Sequence, residues 1–159
     1  MEKSNTPINI VIVALSEKFS KSIASSLADK LDMFMVDCHE MIVYDLINPK
    51  DVIEKCGIEY FKKRERGVVR NCLEFYNTVI SINYELLKEY QDFLVNSLVF
   101  YIKLPKDKIE QVPSFISYEN RDENLKKISH ENMVILDKKS TVHAVEKILE
   151  KIGEIYENC

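Results

Sequence analysis

The sequence predicts an α/β fold, a five-stranded parallel sheet sandwiched by helices, and three observations carry that prediction. Residues 8–15 read INIVIVAL, an unbroken and largely β-branched apolar run, which suits a strand covered on both faces. Directly after it, Ile23, Ala24, Leu27, Ala28 and Leu31 recur at helical spacing. Strand-like and helical stretches then alternate to the C-terminus, which implies right-handed crossovers with helices on both sides of a parallel sheet. Ligands of such sheets bind at the carboxyl ends of the strands. Here that edge is expected to carry the 16–22 loop, Asp37-Cys38-His39 and Ser81-Ile82-Asn83.

In chain order, the first strand is Ile8–Leu15. A polar loop, Ser16–Ser20, follows it, with Ser20 as N-cap and Lys21-Ser22 opening the first helix. Met33–Val36 is a short strand ending at Asp37. His39–Ile47 is helical until Asn48-Pro49 stops it. Asp51–Cys56 is a short helix closed by Gly57. Glu59–Phe75 is a longer helix with Phe61, Val68, Val69, Cys72 and Leu73 as its buried stripe. Thr78–Ile82 is strand, Tyr84–Tyr90 helix, and Ser97–Leu104 strand, ended by Pro105. Residues 106–132 are charge-rich and weakly patterned, so a short helix, an exposed loop and a further helix are expected there as a lid-like excursion. Met133–Leu136 is the last strand. Thr141–Tyr156 is an amphipathic helix built on Val142, Val145, Ile148, Leu149 and Ile152.

The 159 residues suit one domain, 1–159, with enough apolar content (46%) for a core and a globular share of charge (30%). A net charge of −4 argues against general nucleic-acid binding. No apolar run reaches the roughly 20 residues of a membrane span. The opening MEKSNTP has no apolar h-region, so a cytoplasmic protein is expected. Cys38, Cys56, Cys72 and Cys159 form no C-x-x-C pair and read as reduced thiols. His130 and His143 read as solvated residues, and the Lys62–Arg66 run as a solvated helix face.

Strand, loop and helix, with a Lys-Ser pair opening the helix, is the layout of a phosphate-binding loop, G-x-x-x-x-G-K-[ST]. The window is Leu15-Ser16-Glu17-Lys18-Phe19-Ser20-Lys21-Ser22, with Leu15 and Ser20 in the glycine places. Such a loop gathers backbone N–H groups around phosphate oxygens, and its glycines supply the φ values that other residues resist. Forcing Lys18, Phe19 and Ser20 into those conformations costs roughly 1–3 kcal/mol each. Glu17 adds an anion beside the phosphate position.

Two further segments carry a resemblance. Glu54-Lys55-Cys56-Gly57-Ile58-Glu59-Tyr60-Phe61-Lys62-Lys63-Arg64-Glu65 resembles the shikimate kinase pattern E-x-x-G-E-x-x-F-R-x-x-E, and Asp37-Cys38-His39-Glu40-Met41-Ile42 resembles its D-x-D-x-x-I. The resemblance covers essentially the whole chain. It implies a nucleoside-monophosphate-kinase-like fold with strand order 2-3-1-4-5, a shikimate-binding helical region and a mobile lid. It implies Lys21 as the loop lysine, Ser22 as the magnesium-side hydroxyl, Asp37 as the carboxylate organising metal and substrate, and Glu65 as the substrate-region glutamate. Ser20, Lys21 and Ser22 are then the nucleotide-binding residues, Lys21 and Asp37 the catalytic ones, and Ser22 and Asp37 the metal-side ones.

The departures fall on anion binding. His39 stands in place of the second aspartate, and Lys62 in place of an arginine whose bidentate fork lysine cannot reproduce. Ile82-Asn83-Tyr84 replaces the triple glycine, and the lid motif R-P-L and the later arginine before L-Y are missing. Phosphoryl transfer rests on positioning and charge neutralisation, the terms these changes remove. The expectation is therefore a shikimate-kinase-like pseudoenzyme with no cofactor, acting by binding a partner protein or a small carboxylic acid. Two alternatives stand beside it: an active small-molecule kinase using ATP and magnesium, and a small-acid sensor using a pocket of Asp37, His39, Lys62 and Glu65.

Overall fold

A computed structural model of the chain describes residues 9–109 and 118–157. The sheet is built around β1 (Asn9–Ala14), all six residues of which are buried. Strands β2 (Phe34–Asp37), β3 (Thr78–Ser81), β4 (Ser97–Lys103) and β5 (Met133–Ile135) complete a parallel sheet in the order β2-β3-β1-β4-β5. Ile10 lies opposite Val79 on one side and Leu98 on the other.

Side-chain alternation along β1 feeds two separate cores. Ile10, Ile12 and Ala14 pack with Ile23, Ala24 and Leu27 of α1 (Glu17–Leu31) and with Ala144, Val145 and Ile148 of α7 (Thr141–Glu157). Val11 and Val13 face α2 (Cys38–Leu46), α4 (Ile58–Leu73), α5 (Tyr84–Glu89) and α6 (Tyr118–Ile128), through residues such as Ile42, Val69, Leu87 and Leu125. This double burial is why the strand's sequence is apolar throughout rather than alternating.

The sharpest correction lies just after β1. The stretch expected to be a loop with Ser20 as N-cap is the first turn of α1, which starts at Glu17 with Ser16 in the N-cap place. The Ser20 N–H already donates to the Ser16 carbonyl at 3.0 Å, an intrahelical bond. The physical reason is twofold. Residues 16–20 contain no glycine to hold a left-handed turn, and Phe19, 5% exposed, joins the α1 core, where full burial of such a side chain contributes about 1.5–3 kcal/mol.

Between β2 and β3, α3 (Pro49–Cys56) starts with Asn48 capping the Asp51 N–H and Pro49 in its first turn. Gly57 closes it at φ +86°, donating to the Ile53 carbonyl at 2.9 Å, and α4 begins at the next residue. Two smaller corrections concern helix faces. Glu65, within the run expected to be solvated, is buried, and Val142, expected on the apolar stripe of α7, is exposed while Ala144 takes the inward place. In the 106–132 excursion, a single 3-10 turn (Lys106–Lys108) and α6 are present, and the expected loop falls on residues 110–117, outside the described ones.

Candidate active site at the carboxyl edge

Helices begin almost directly at the carboxyl ends of β1, β2 and β3, so each strand end presents a capping residue. Asp37 caps α2, its Oδ1 accepting the Glu40 N–H at 2.9 Å, and Asn83 caps α5, its Oδ1 accepting the Leu86 N–H at 2.9 Å. Ser16 leads α1 without a capping bond, and its buried Oγ has no partner among the described residues.

The polar centre of the edge is formed by Ser20, Asp37 and Ser81, all buried. Ser20 Oγ lies 3.4 Å from Ser81 Oγ and 3.3 Å from the Ile12 carbonyl it donates to, and the Ser81 hydroxyl bonds Asp37. Burial raises the Asp37 pKa above the usual carboxylate value. The Ser81 bond, the Lys21 and His39 charges and the His39 N–H pull the other way without cancelling the rise.

Lys21 and Ser22 lie on the exposed side of α1. The Lys21 ammonium pairs with the Glu40 carboxylate, and both residues are well exposed. Ser22 lines an open hollow with Lys21, Ser25, Ser26 and Asp29. His39 is exposed.

Lys62 and Glu65 do come together, three residues apart on α4. Lys62 Nζ is 3.1 Å from Glu65 Oε1 and 3.1 Å from Glu89 Oε2. Glu65 Oε1 also accepts the Tyr90 hydroxyl at 2.8 Å. Burial works to lower the Lys62 pKa, but the bonds to Glu89 and Glu65 outweigh it and raise the value. Burial, followed by the Glu65 bond, pushes the Tyr90 phenol far up. Among the described residues, no hydrogen bond or ion pair joins Asp37 or His39 to Lys62 or Glu65.

Arg121, not among the candidate site residues read from the sequence, is a buried cation at this edge. Its side chain is 9% exposed, its guanidinium carbon sits 5.3 Å from the centre of the Tyr84 ring, and Nη2 is 3.5 Å from Glu85. Among the described residues, its buried Nε has no partner. Tyr84 follows the end of β3, and the Tyr118 hydroxyl, one turn before Arg121, donates to the Leu104 carbonyl just past β4. Asn124 Nδ2 donates to the Tyr84 hydroxyl at 2.8 Å. The sequence signal for Arg121, a lone arginine ahead of the α6 apolar positions, carries no partner information.

The sheet order and the helix-capped carboxyl edge define the fold of P-loop kinases, and the comparisons with known proteins agree. A family model described as shikimate kinase matches residues 21–153, so the chain belongs to the shikimate kinase family. The shikimate kinase of Aquifex aeolicus superposes with a TM-score of 0.64 at 19% identity, covering 91% of this chain and 96% of that one. The shikimate kinase of Bacteroides thetaiotaomicron gives 0.59 at 14% identity, over 92% and 98% of the two chains. That of Acinetobacter baumannii, solved in complex with shikimate, gives 0.54 at 18% identity, over 96% and 94%. No curated protein matches. No described helix is long and apolar enough to cross a membrane.

Proposed function

We propose that this member of the shikimate kinase family does not transfer phosphate and acts by binding, with a small carboxylic acid at the carboxyl edge as its best-supported ligand. The observation that carries this reading is the start of α1 at Glu17. Helical geometry through residues 17–20 points the free backbone N–H groups along the helix axis instead of wrapping them around an anion. The family implies ATP and magnesium in an active enzyme, and the residues present do not fit them. Ser20 Oγ is turned into the core, Lys21 is engaged by Glu40, and Ser22 lines an open hollow with α1 residues only. Each preorganised donor lost from a site of developing charge costs about 10²–10³ in rate.

The acid ligand is supported by Arg121, a buried cation paired with Glu85 whose Nε has no partner among the described residues, and less by Lys62, whose charge is met by two carboxylates. The second reading, a working kinase, draws on Lys21, Ser22 and Asp37 being retained, and requires the first turn of α1 to unwind. Two titrations separate the readings. Millimolar magnesium-ATP is expected to leave the melting temperature unchanged. Shikimate is expected to shift NMR signals around Tyr84 and Arg121, and to lose that effect in Arg121→Ala. A dose-dependent stabilisation by magnesium-ATP that vanishes in Lys21→Ala would establish the kinase instead.

A further inference from the structure

The outer face of α2 and α4 carries a cluster of exposed apolar side chains. Tyr44, Ile47, Tyr76 and Phe34 are 83%, 86%, 75% and 71% exposed, and Val43 and Phe75 add smaller shares. None of them belongs to the carboxyl-edge site. They form one continuous patch. Val43, Tyr44 and Ile47 share the end of α2, three and four residues apart. Tyr44 borders, with Met41, Val68 and Phe75, a groove of about 420 Å³ between α2 and α4. Tyr76 borders the next hollow, and Glu74 borders both. Phe34 lies beside this stretch, because its N–H donates to the Asn77 carbonyl at 2.9 Å. It also shares its sheet face with Val36, which packs on the α2–α4 core. β2 is the end strand of the sheet, so no further described strand covers the patch. Ile47 is held there at φ +61°, which a β-branched residue resists, and yet its side chain stays exposed.

We infer that this patch is a homodimer interface, in which the α2–α4 face of one copy packs on the same face of a second copy about a two-fold axis. Area is the first argument. An aromatic side chain presents about 150–250 Å², so at these exposures the patch offers roughly 700 Å² of mainly apolar surface. The largest apolar patch of an ordinary monomer is about 300–600 Å². Each partner of a stable complex contributes about 800 Å², which this face approaches. Charge is the second argument. The charged residues bordering the groove are Asp45 and Glu74, and each is already paired within its own copy. Asp45 meets Arg64 at 2.8 Å and Glu74 meets Arg70 at 3.5 Å. Two identical grooves therefore face each other without a bare charge of one sign opposing itself. Shape is the third. The patch holds projecting rings, Tyr44 and Tyr76, beside a groove able to receive a ring, and a two-fold axis makes that contact twice. Aromatic anchors of this kind carry most of the energy of an interface.

The test is sedimentation equilibrium of the full chain from roughly 1 to 100 µM, which covers the weak end of the affinities that interfaces of this size reach. The mass is expected to move from that of one chain toward that of two, and no further. Tyr44→Glu and Ile47→Glu, both at exposed positions, should each raise the dissociation constant by roughly 30-fold or more. Val142→Glu, at an exposed apolar position of α7 outside the patch, should leave it unchanged. Circular dichroism of each variant checks that a lost dimer is not a lost fold, and the wild-type mass decides the matter even where a variant folds poorly. A wild type that keeps the mass of one chain at the highest concentration overturns the proposal and leaves the patch to a protein of another kind. A dimer that survives both patch variants, or that Val142→Glu disrupts, overturns it too. So does growth beyond two copies, because a two-fold contact closes on itself.

Discussion

Replacing Tyr101 by phenylalanine tests whether a buried carboxylate holds α6, and with it Arg121, against the sheet. Tyr101 is 1% exposed and its hydroxyl donates to Asp122 Oδ1 at 2.7 Å. The other carboxylate oxygen receives Lys103 at 3.2 Å and Lys126 at 3.3 Å. A hydrogen bond to a charged acceptor is worth about 1.5–3 kcal/mol, and the variant loses one such bond while creating almost no cavity. Both lysines remain and are partly exposed, so the lower end applies, about 1.5–2 kcal/mol. For a chain of this size that corresponds to a fall in melting temperature of about 3–8 °C. Burial acts to raise the Asp122 pKa, but the bonds from Tyr101, Lys103 and Lys126 prevail and hold it below the ordinary carboxylate value. The sign follows: the folded state binds this proton less tightly than the unfolded chain, so the stabilisation is complete above the unfolded value of about 3.9 and is lost as pH falls through the lower folded value. Urea unfolding of the wild type, Tyr101→Phe, Asp122→Asn and the double variant measures the coupling directly. A Tyr101→Phe variant within about 0.5 kcal/mol of wild type at pH 7, or a double variant whose loss equals the sum of the two single losses, refutes the reasoning.

Phe19→Ala should cost about 3–5 kcal/mol in chemical denaturation, because Phe19 anchors the first turn of α1 in the core; a loss under about 1 kcal/mol would mean that residues 16–20 form a surface loop. Asp37→Asn should leave stability at pH 7 unchanged or slightly higher, since asparagine retains the cap on Glu40 while removing a buried carboxyl. The Asp37 pKa is raised, so its ionisation opposes folding as pH rises through the folded value, and the advantage of asparagine should vanish below about pH 4. A loss above about 2 kcal/mol at pH 7 would show instead that the Asp37 charge is needed.

Much of the fold was legible because it is written in local periodicity. The unbroken run at 9–14 marks a strand covered on both faces, and the spacing of Ile23, Ala24, Leu27 and Ala28 marks the face that α1 turns to it. Gly57 and Asn48-Pro49 punctuate the helices where the structure breaks them, because a positive φ and a fixed proline φ act on single residues. The start of α1 was not legible. The spacing of a phosphate loop suggested a turn, whereas the residues filling it are compatible with a helix, and the burial of Phe19 against distant strands decided between them.

By itself, the sequence determined the order of the strands and main helices, most of their buried faces and the resemblance that led to the family. Only the tertiary structure decided which polar groups meet. Glu65 reads as one charge in a solvated run until Tyr90, from the end of α5, reaches it. Arg121 reads as an isolated arginine until Tyr84 passes beneath it. Periodicity reports the environment each residue seeks, inside or outside. Partners separated by tens of residues are set by the crossovers of the chain, and no local pattern records that meeting.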